Sequence, residues 1–383
     1  MVGIIMHFPD YAPTRMAQSS SQAPRQALIL SGNNLLERAV LHNLREQSPM
    51  IQVVDVFQQQ LREWLKAEHP DKQLSEAEIN HLASLHTDPT DDEKNGAWIY
   101  YPWRNALVHC LSREEFIRVR TIRNLHKITS DEQGILSSAK VGVVGLSVGQ
   151  SVAISLVMER ICGSLRIADF DTLELSNLNR IRSSMIHQGE LKTTIVAREI
   201  AEIDPFIEVS CYDKGLQADN LHDFLDGLHL VVDECDSLEM KIMLRKACRE
   251  KGIPVVMDTS DSLMLDVERF DLEPNRPIFH GLINEEELID WQNPQQRMRL
   301  LSQIIEPQNA SMRAQQSLSE IGKTITTWPQ LATDVAMGGA FAAKIIRQIL
   351  LGETIPSGRF RMDIVSQFQS NATFQTIEQV KHV

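Results

Sequence analysis

At 383 residues the chain is long enough for two or three domains and a sizeable core, and its 43% hydrophobic and 23% charged residues are ordinary for a globular protein. No apolar run approaches the ~20 residues of a membrane-spanning helix, and a net charge of −13 argues against a general nucleic-acid binder, which would neutralise phosphates with Lys and Arg. The five cysteines (Cys110, Cys162, Cys211, Cys235 and Cys248) contain no C-x-x-C pair, which argues against a zinc site and suits a reducing compartment. No basic-then-apolar leader opens the chain, so a cytoplasmic location is expected.

Residues 1–25, rich in Ser, Gln, Ala and Pro, read as a flexible leader. A small α/β unit is expected over 26–112. Ala27–Ser31 reads as a strand, Leu35–Arg45 as an amphipathic helix and Ile51–Phe57 as a second strand, a β-α-β pattern. Ser31-Gly32-Asn33 would form the turn and helix cap, or receive a phosphate. Residues 69–96 read as polar, with "HTDPTDDEKNG" as a loop. "GAWIYYPWRNALVHCL" then gathers two of the five tryptophans and two of the four tyrosines, as segments that anchor one domain on another do. In "REEFIRVRTIRNLHKIT", Arg118, Arg120 and Arg123 form either a solvated helix face or an arm reaching a phosphate.

From about Ala139 strands and helices alternate. The strands are Val141–Val144, Ser164–Ala168, Ile207–Tyr212, Leu228–Val232 and Ile253–Asp258. That order implies an α/β fold, a Rossmann-like, doubly wound, mostly parallel sheet covered on both faces. In such sheets ligands bind beyond the carboxyl ends of the strands. After Glu273 the pattern loosens into polar helices or loops. From Trp328 a long apolar helix is expected, in which Gly338-Gly339-Ala340 allows close approach, followed by a last strand in "SGRFRMDIV".

The residues after each strand carry the chemistry. "KVGVVGLSVGQS" is a buried strand running into a loop and a helix whose free N–H groups suit an anion. Gly145 permits the turn, Gly149 falls one residue early for a dinucleotide loop, and Ser147 offers a hydroxyl. A dinucleotide loop would read G-x-G-x-x-G, and here Ser147 and Gln150 occupy glycine places. Asp169 lies 24 residues beyond Gly145, where a Rossmann fold places its ribose-binding acid. Asp171, Asn177, Asn179 and Arg180 crowd one loop, and Lys192 opens the next helix; cations beside a phosphate loop suggest a triphosphate. Asp233 and Asp236 are placed together at the crevice mouth, where carboxylates suit Mg²⁺ or, for Asp236, cap a helix.

"VGVVG…GQS…ADFDTLELSNLNR…GELK…DECDS", in this order and spacing, resembles the ThiF/MoeB/ubiquitin-activating-enzyme superfamily over roughly 118–365. The resemblance implies an ATP-binding adenylation domain over 113–383, cofactors ATP and Mg²⁺ without zinc, and activation of a carboxylate. That carboxylate would be the C-terminal glycine of a ubiquitin-like or sulfur-carrier protein, or a small or peptide acid. It implies that the loop Gly145, Ser147 and Gly149 with Asp171 contacts ATP, that Asp169 holds the ribose, that Asn177, Arg180 and Lys192 grip phosphates, and that Asp236 holds magnesium. Arg123 would reach the partner's nucleotide in a homodimer. Ile181, Ser237 and Lys241 replace a glutamine, an asparagine and an arginine common in the family. No cysteine follows Asp258 where thioester-forming members carry one, so adenylation without an enzyme thioester is expected. The wording is also similar to a bacterial subgroup in which the module precedes a nitroreductase-like flavin domain. Two other readings stay open, an NAD(P)- or flavin-dependent Rossmann oxidoreductase and a non-catalytic scaffold. No nucleic acid or membrane partner is expected.

Overall fold

The computed structural model describes residues 24–362 apart from 49, 262, 286–292, 307 and 309. The expected leader lies almost wholly outside the described residues, as does the end of the expected last strand. Two sheets organise the rest.

The first holds four strands in the order β1-β3-β4-β2: β1 (Leu28–Leu30), β2 (Gln52–Asp55), β3 (Ala97–Tyr101) and β4 (Ala106–Cys110). Helix α1 (Leu35–Gln47) follows β1, but β1 and β2 are not neighbours. The aromatic hairpin β3–β4 sits between them, pairing antiparallel with β1 and parallel with β2. The β-α-β order holds, but its two strands are separated by the hairpin, which has the stronger claim to the centre. Its residues are almost all buried, while β1 and β2 are largely exposed edges. The α1 cap is Asn34, whose side chain accepts from the Leu36 and Glu37 N–H groups, not Asn33. Helix α2 (Phe57–Glu68) begins where the second strand was expected to end. The polar stretch 69–96 contains a helix, α3 (Glu76–His86), started by a Ser75–Glu78 capping box.

Helices α4 (Arg113–Thr121) and α5 (Ser130–Ser138) lead into the second sheet, of seven strands ordered β11-β10-β9-β8-β5-β6-β7. Its strands are β5 (Lys140–Val144), β6 (Ser164–Ala168), β7 (Glu208–Tyr212), β8 (Leu230–Asp233), β9 (Val255–Asp258), β10 (Leu265–Glu268) and β11 (Gly358–Phe360). Strands β5–β9 are parallel; β10 and β11 add antiparallel at one edge. Alternation along each strand divides the core. Val141, Val143, Leu165, Ile167, Leu230, Val232 and Val256 pack beneath α5, α6 (Gly149–Glu159), α7 (Lys192–Ile203) and α12 (Ala332–Leu350). Val144, Ala168, Val231 and Val255 face the opposite way, toward α8 (Leu221–Leu225), α9 (Leu238–Lys251) and α10 (Pro294–Ile305). Helix α11 (Met312–Leu318) lies between α10 and α12 in the chain.

The first sheet rests on the far end of α7. Tyr101 Oη donates to the Ala201 carbonyl at 3.2 Å, and Trp103 Nε1 and Arg104 Nε donate to Glu202 at 2.5 and 2.8 Å. Trp98 turns inward, stacked on His109 at 4.1 Å. Beneath this contact the buried Arg160 guanidinium donates to Asp204 at 2.5 Å, joining the end of α6 to the end of α7.

Candidate active site

The crossover from β5 to α6 is shaped by close packing. Gly145 has φ 85°, and a Cβ there would lie 2.4 Å from the Glu234 carbonyl oxygen. Gly145 and Gly149 let neighbouring backbone and side chains approach; Ser147 and Val148 are the loop residues that line the cavity. Gln150, standing in a glycine place, is buried. Its Nε2 donates to the Arg182 carbonyl and to Glu199, both at 2.8 Å, and its Oε1 accepts the Arg182 N–H at 2.9 Å. It pins the segment after Arg180 onto the loop.

At the end of β6, Asp169 spends its two oxygens on backbone: Oδ2 accepts the Leu146 N–H and Oδ1 the Asp171 N–H, both at 2.7 Å. Burial raises this carboxyl above the usual range, with Lys192 and the two N–H groups opposing. Asp171 Oδ2 accepts from the buried Lys192 ammonium at 2.8 Å. Asn177 Oδ1 accepts the Glu174 N–H at 3.0 Å, and its carbonyl accepts from Arg180 and Ile181, closing a short 3₁₀ turn. That turn delivers Arg180, whose Nε donates to Ser147 Oγ at 2.9 Å. Burial lowers the Arg180 pKa while Asp236 pulls the other way.

Ser147, Asp171, Asn177, Arg180, Lys192 and Asp236 therefore line one cavity of about 710 Å³. Asp236 does not cap α9. Ser237 does, its hydroxyl accepting the Met240 N–H at 3.3 Å, and among the described residues no hydrogen bond engages the exposed Asp236 carboxylate. Asp233 does not reach the mouth, contrary to the sequence reading. It is fully buried, paired with Arg245 and, at 3.3 Å, with Lys241. Burial alone would raise its carboxyl, but these two cations hold it well below the usual range. It faces inward because the last residue of a central strand lies under α9. Arg123 is exposed in the turn after α4 and does not line the cavity. Its neighbours are structural: Arg118 pairs with Glu68 at 3.0 Å and Arg120 with Asp204 at 3.3 Å.

Several lining residues were missed. Glu234 lies in the "DECDS" element, and Lys241 and Asp258 enter the sequence reading only through departures from the family pattern; none was assigned to the site. The opposite wall includes Met264, then Leu301, Ile304 and Leu318 from the stretch after Glu273 where the pattern loosens, and Trp328, where the apolar helix was expected to begin, although that helix starts at Ala332. Asn179 Nδ2 ties that wall to the phosphate-side loop by donating to the Gln330 carbonyl at 2.7 Å. Cys235 also lines the cavity, but its thiol is turned onto Asp233 at 2.9 Å and burial holds it well above its usual pKa, the setting of an unreactive cysteine.

The chain matches the ThiF family over residues 119–380. An uncharacterized protein of Mycobacterium tuberculosis is 41% identical over 340 residues, covering 88% of this chain and 45% of its own length. The chain thus spans less than half of that relative. A molybdopterin-synthase adenylyltransferase of Haemophilus influenzae is 26% identical over 175 residues, 45% of this chain and 71% of that protein. A tRNA threonylcarbamoyladenosine dehydratase of Bacillus subtilis is 26% identical over 157 residues, 39% of this chain and 62% of that protein.

Proposed function

The chain belongs to the ThiF family, and from that premise we propose that it binds ATP with Mg²⁺ and adenylates a carboxylate, releasing pyrophosphate. The observation that carries the reading is the convergence of Ser147, Asn177, Arg180 and Lys192, from three chain segments, on one cavity with Asp236. A substrate carboxylate oxygen attacks the α-phosphorus. Arg180 and Lys192 set fixed positive charge against the phosphates as pyrophosphate leaves. No general base is needed, because a carboxylate is already ionised at neutral pH. Asp169 does not line the cavity; its carboxylate holds the Leu146 and Asp171 N–H groups that shape the wall, and its remaining lone pairs would accept from the ribose. The exposed, unengaged Asp236 is a hard oxygen donor that fits Mg²⁺; bound there, the ion would offset phosphate charge.

The substrate is the C-terminal glycine of a ubiquitin-like or sulfur-carrier protein, or a small or peptide acid, and the named adenylyltransferase relative supports this class. The unreactive Cys235 supports transfer without an enzyme thioester. The exposure of Arg123 away from its own cavity suits a homodimer in which it serves the partner's site. Family membership favours adenylation over hydride transfer. The test is calorimetric titration of ATP–Mg and of NAD into wild type and Arg180→Ala. Mg²⁺-dependent ATP binding that weakens about tenfold or more in the variant is expected, the loss of a charge-assisted hydrogen bond to phosphate. No ATP binding at sub-millimolar concentration, or binding of NAD instead, overturns the reading.

A further inference from the structure

The far wall of the cavity carries an acidic group for which adenylation has no use. Asp258 at the end of β9 is 4% exposed and Ser260 is 5% exposed, and both line the cavity. Asp258 Oδ1 accepts the Ser260 N–H at 3.1 Å. Asp258 Oδ2 and Ser260 Oγ, both buried, have no hydrogen-bond partner. Buried polar atoms are nearly always satisfied, so two orphans in one cavity wall mark a place for a ligand's donors. Ser260 also holds φ 53°, a left-handed conformation that costs a residue with a Cβ and persists only where the surroundings impose it.

The charge around them selects the ligand. Glu234, from the loop between β8 and α9, accepts the Asp258 N–H at 2.7 Å. Asp261 follows in the same loop, its carboxylate accepting from Ser311. Asp334 faces Asp258 from the first turn of α12. Lys241 on α9 is committed to Asp233 at 3.3 Å. Gly338 of α12 leaves room for the carboxylate, since a Cβ there would lie 1.9 Å from Asp258 Oδ2. Burial and the neighbouring Asp258 push the Glu234 carboxyl well above its usual range, and Lys241 and Arg361 line the same cavity, so the anionic character of this wall rests on Asp258, Asp261 and Asp334, which together favour a cation with several N–H donors.

We propose that Asp258 Oδ2 and Ser260 Oγ form a subsite for the primary ammonium group of the acceptor that takes up the activated acyl group; the identity of that acceptor rests on the adenylation reading. In transfer, the ammonium gives one proton to the Asp258 carboxylate and the amine nitrogen bonds to the acyl carbon. The bond from that carbon to the AMP oxygen breaks with its electron pair leaving on AMP, and the nitrogen's surplus proton goes to solvent. Burial, reinforced by the Asp334 charge, pushes the Asp258 carboxyl up to about 7. Affinity for an ammonium ion therefore climbs as pH rises through neutrality, when the carboxyl ionises.

The test uses the full chain with ATP–Mg and ligand-observed NMR, with n-butylammonium as probe and n-pentanol as its uncharged control. Saturable butylammonium binding at pH 8 and little at pH 6 is expected, with none for pentanol. Asp258→Asn keeps an oxygen for the Ser260 N–H and should weaken the binding at least about tenfold, the loss of a charge-assisted hydrogen bond. Ser260→Gly relieves the backbone and removes only the hydroxyl, and should weaken it less. No butylammonium binding to wild type, or equal binding in Asp258→Asn, overturns the subsite. Titrating the same samples with ATP–Mg separates the readings: ammonium binding without ATP binding sinks adenylation and leaves the subsite, and the converse sinks the subsite alone.

Discussion

Asp258 sets binding against stability. Its folded pKa of about 7 lies above the ordinary carboxylate value, because burial disfavours the charge. Between the unfolded and folded values the native state holds a proton that the unfolded chain has released. Stability contributed by this group is thus complete in acid and declines as pH rises from about 4 to about 7, by up to ~4 kcal/mol. Asp258→Asn removes that decline. The variant should denature later than wild type at pH 8 and show little gain at pH 4, in parallel urea titrations. An unchanged or lower midpoint at pH 8 would mean the carboxylate is better solvated than its surroundings imply. A residue whose replacement stabilises the protein and weakens ligand binding is behaving as a site residue.

The same residue shows what a sequence conceals. Asp169, Asn177, Arg180 and Lys192 could be picked out because they sit in short, contiguous patterns after strands, where topology alone says that ligands bind. Asp258 also follows a strand, yet its environment is built by Glu234 and by Asp334 and Gly338 on a helix far along the chain. Asp233 was misplaced for the mirror-image reason. Its position in the motif looked like a crevice mouth, and only the packing of Lys241 and Arg245 over the strand end shows a buried ion pair.

At the scale of elements, α6 and α12 carry the loop and the acidic wall toward each other, and their closeness depends on Gly339. A Cβ at Gly339 would lie 2.3 Å from Ser151 Oγ and 2.8 Å from the Ser151 carbonyl carbon, so backbone as well as side chain would have to give. Gly339→Ala raises intrinsic helix propensity, which in isolation would stabilise α12 by up to about 1 kcal/mol. Overpacking costs more, about 1–3 kcal/mol. Net destabilisation by chemical denaturation is expected, together with weaker ATP binding, because Ser151 lies in the first turn of α6. A stabilised variant would show that the helices can separate freely. The apolar helix and its small residues were legible from composition and spacing. The helix at 76–86 was not, because its apolar residues, Ala77, Ile79, Leu82, Ala83 and Leu85, are spread around it rather than gathered on one face, and its capping box at Ser75 and Glu78 was the one local cue.

Across the whole molecule, the two sheets meet on α7, and this helix has a different task at each end. Its first residue, Lys192, lines the cavity; its last turns, at Ala201 and Glu202, receive the aromatic hairpin. Trp103 is central to that contact. It donates to Glu202 at 2.5 Å, lies 5.7 Å beneath the Arg198 guanidinium and packs edge-on against Tyr101 at 5.5 Å. Arg198 in turn pairs with Glu190 at 2.6 Å, in the turn that leads into Lys192. The hairpin therefore steadies the helix from which the phosphate-side lysine projects. Trp103→Ala should cost about 1–2 kcal/mol, the range of a partly exposed aromatic contact rather than a core deletion. Its diagnostic effect is spatial. Amide exchange should quicken in β3, β4 and the last turn of α7 while β5 and β8, which lie in the other sheet, stay protected. If α7 moves as a unit, ATP affinity falls a few-fold in the same variant. Faster exchange with unchanged ATP affinity would confine the hairpin to a passive cover, and unchanged exchange would mean that the sheets are held together elsewhere, with Arg120 and Arg160 on Asp204 as the next contact to break.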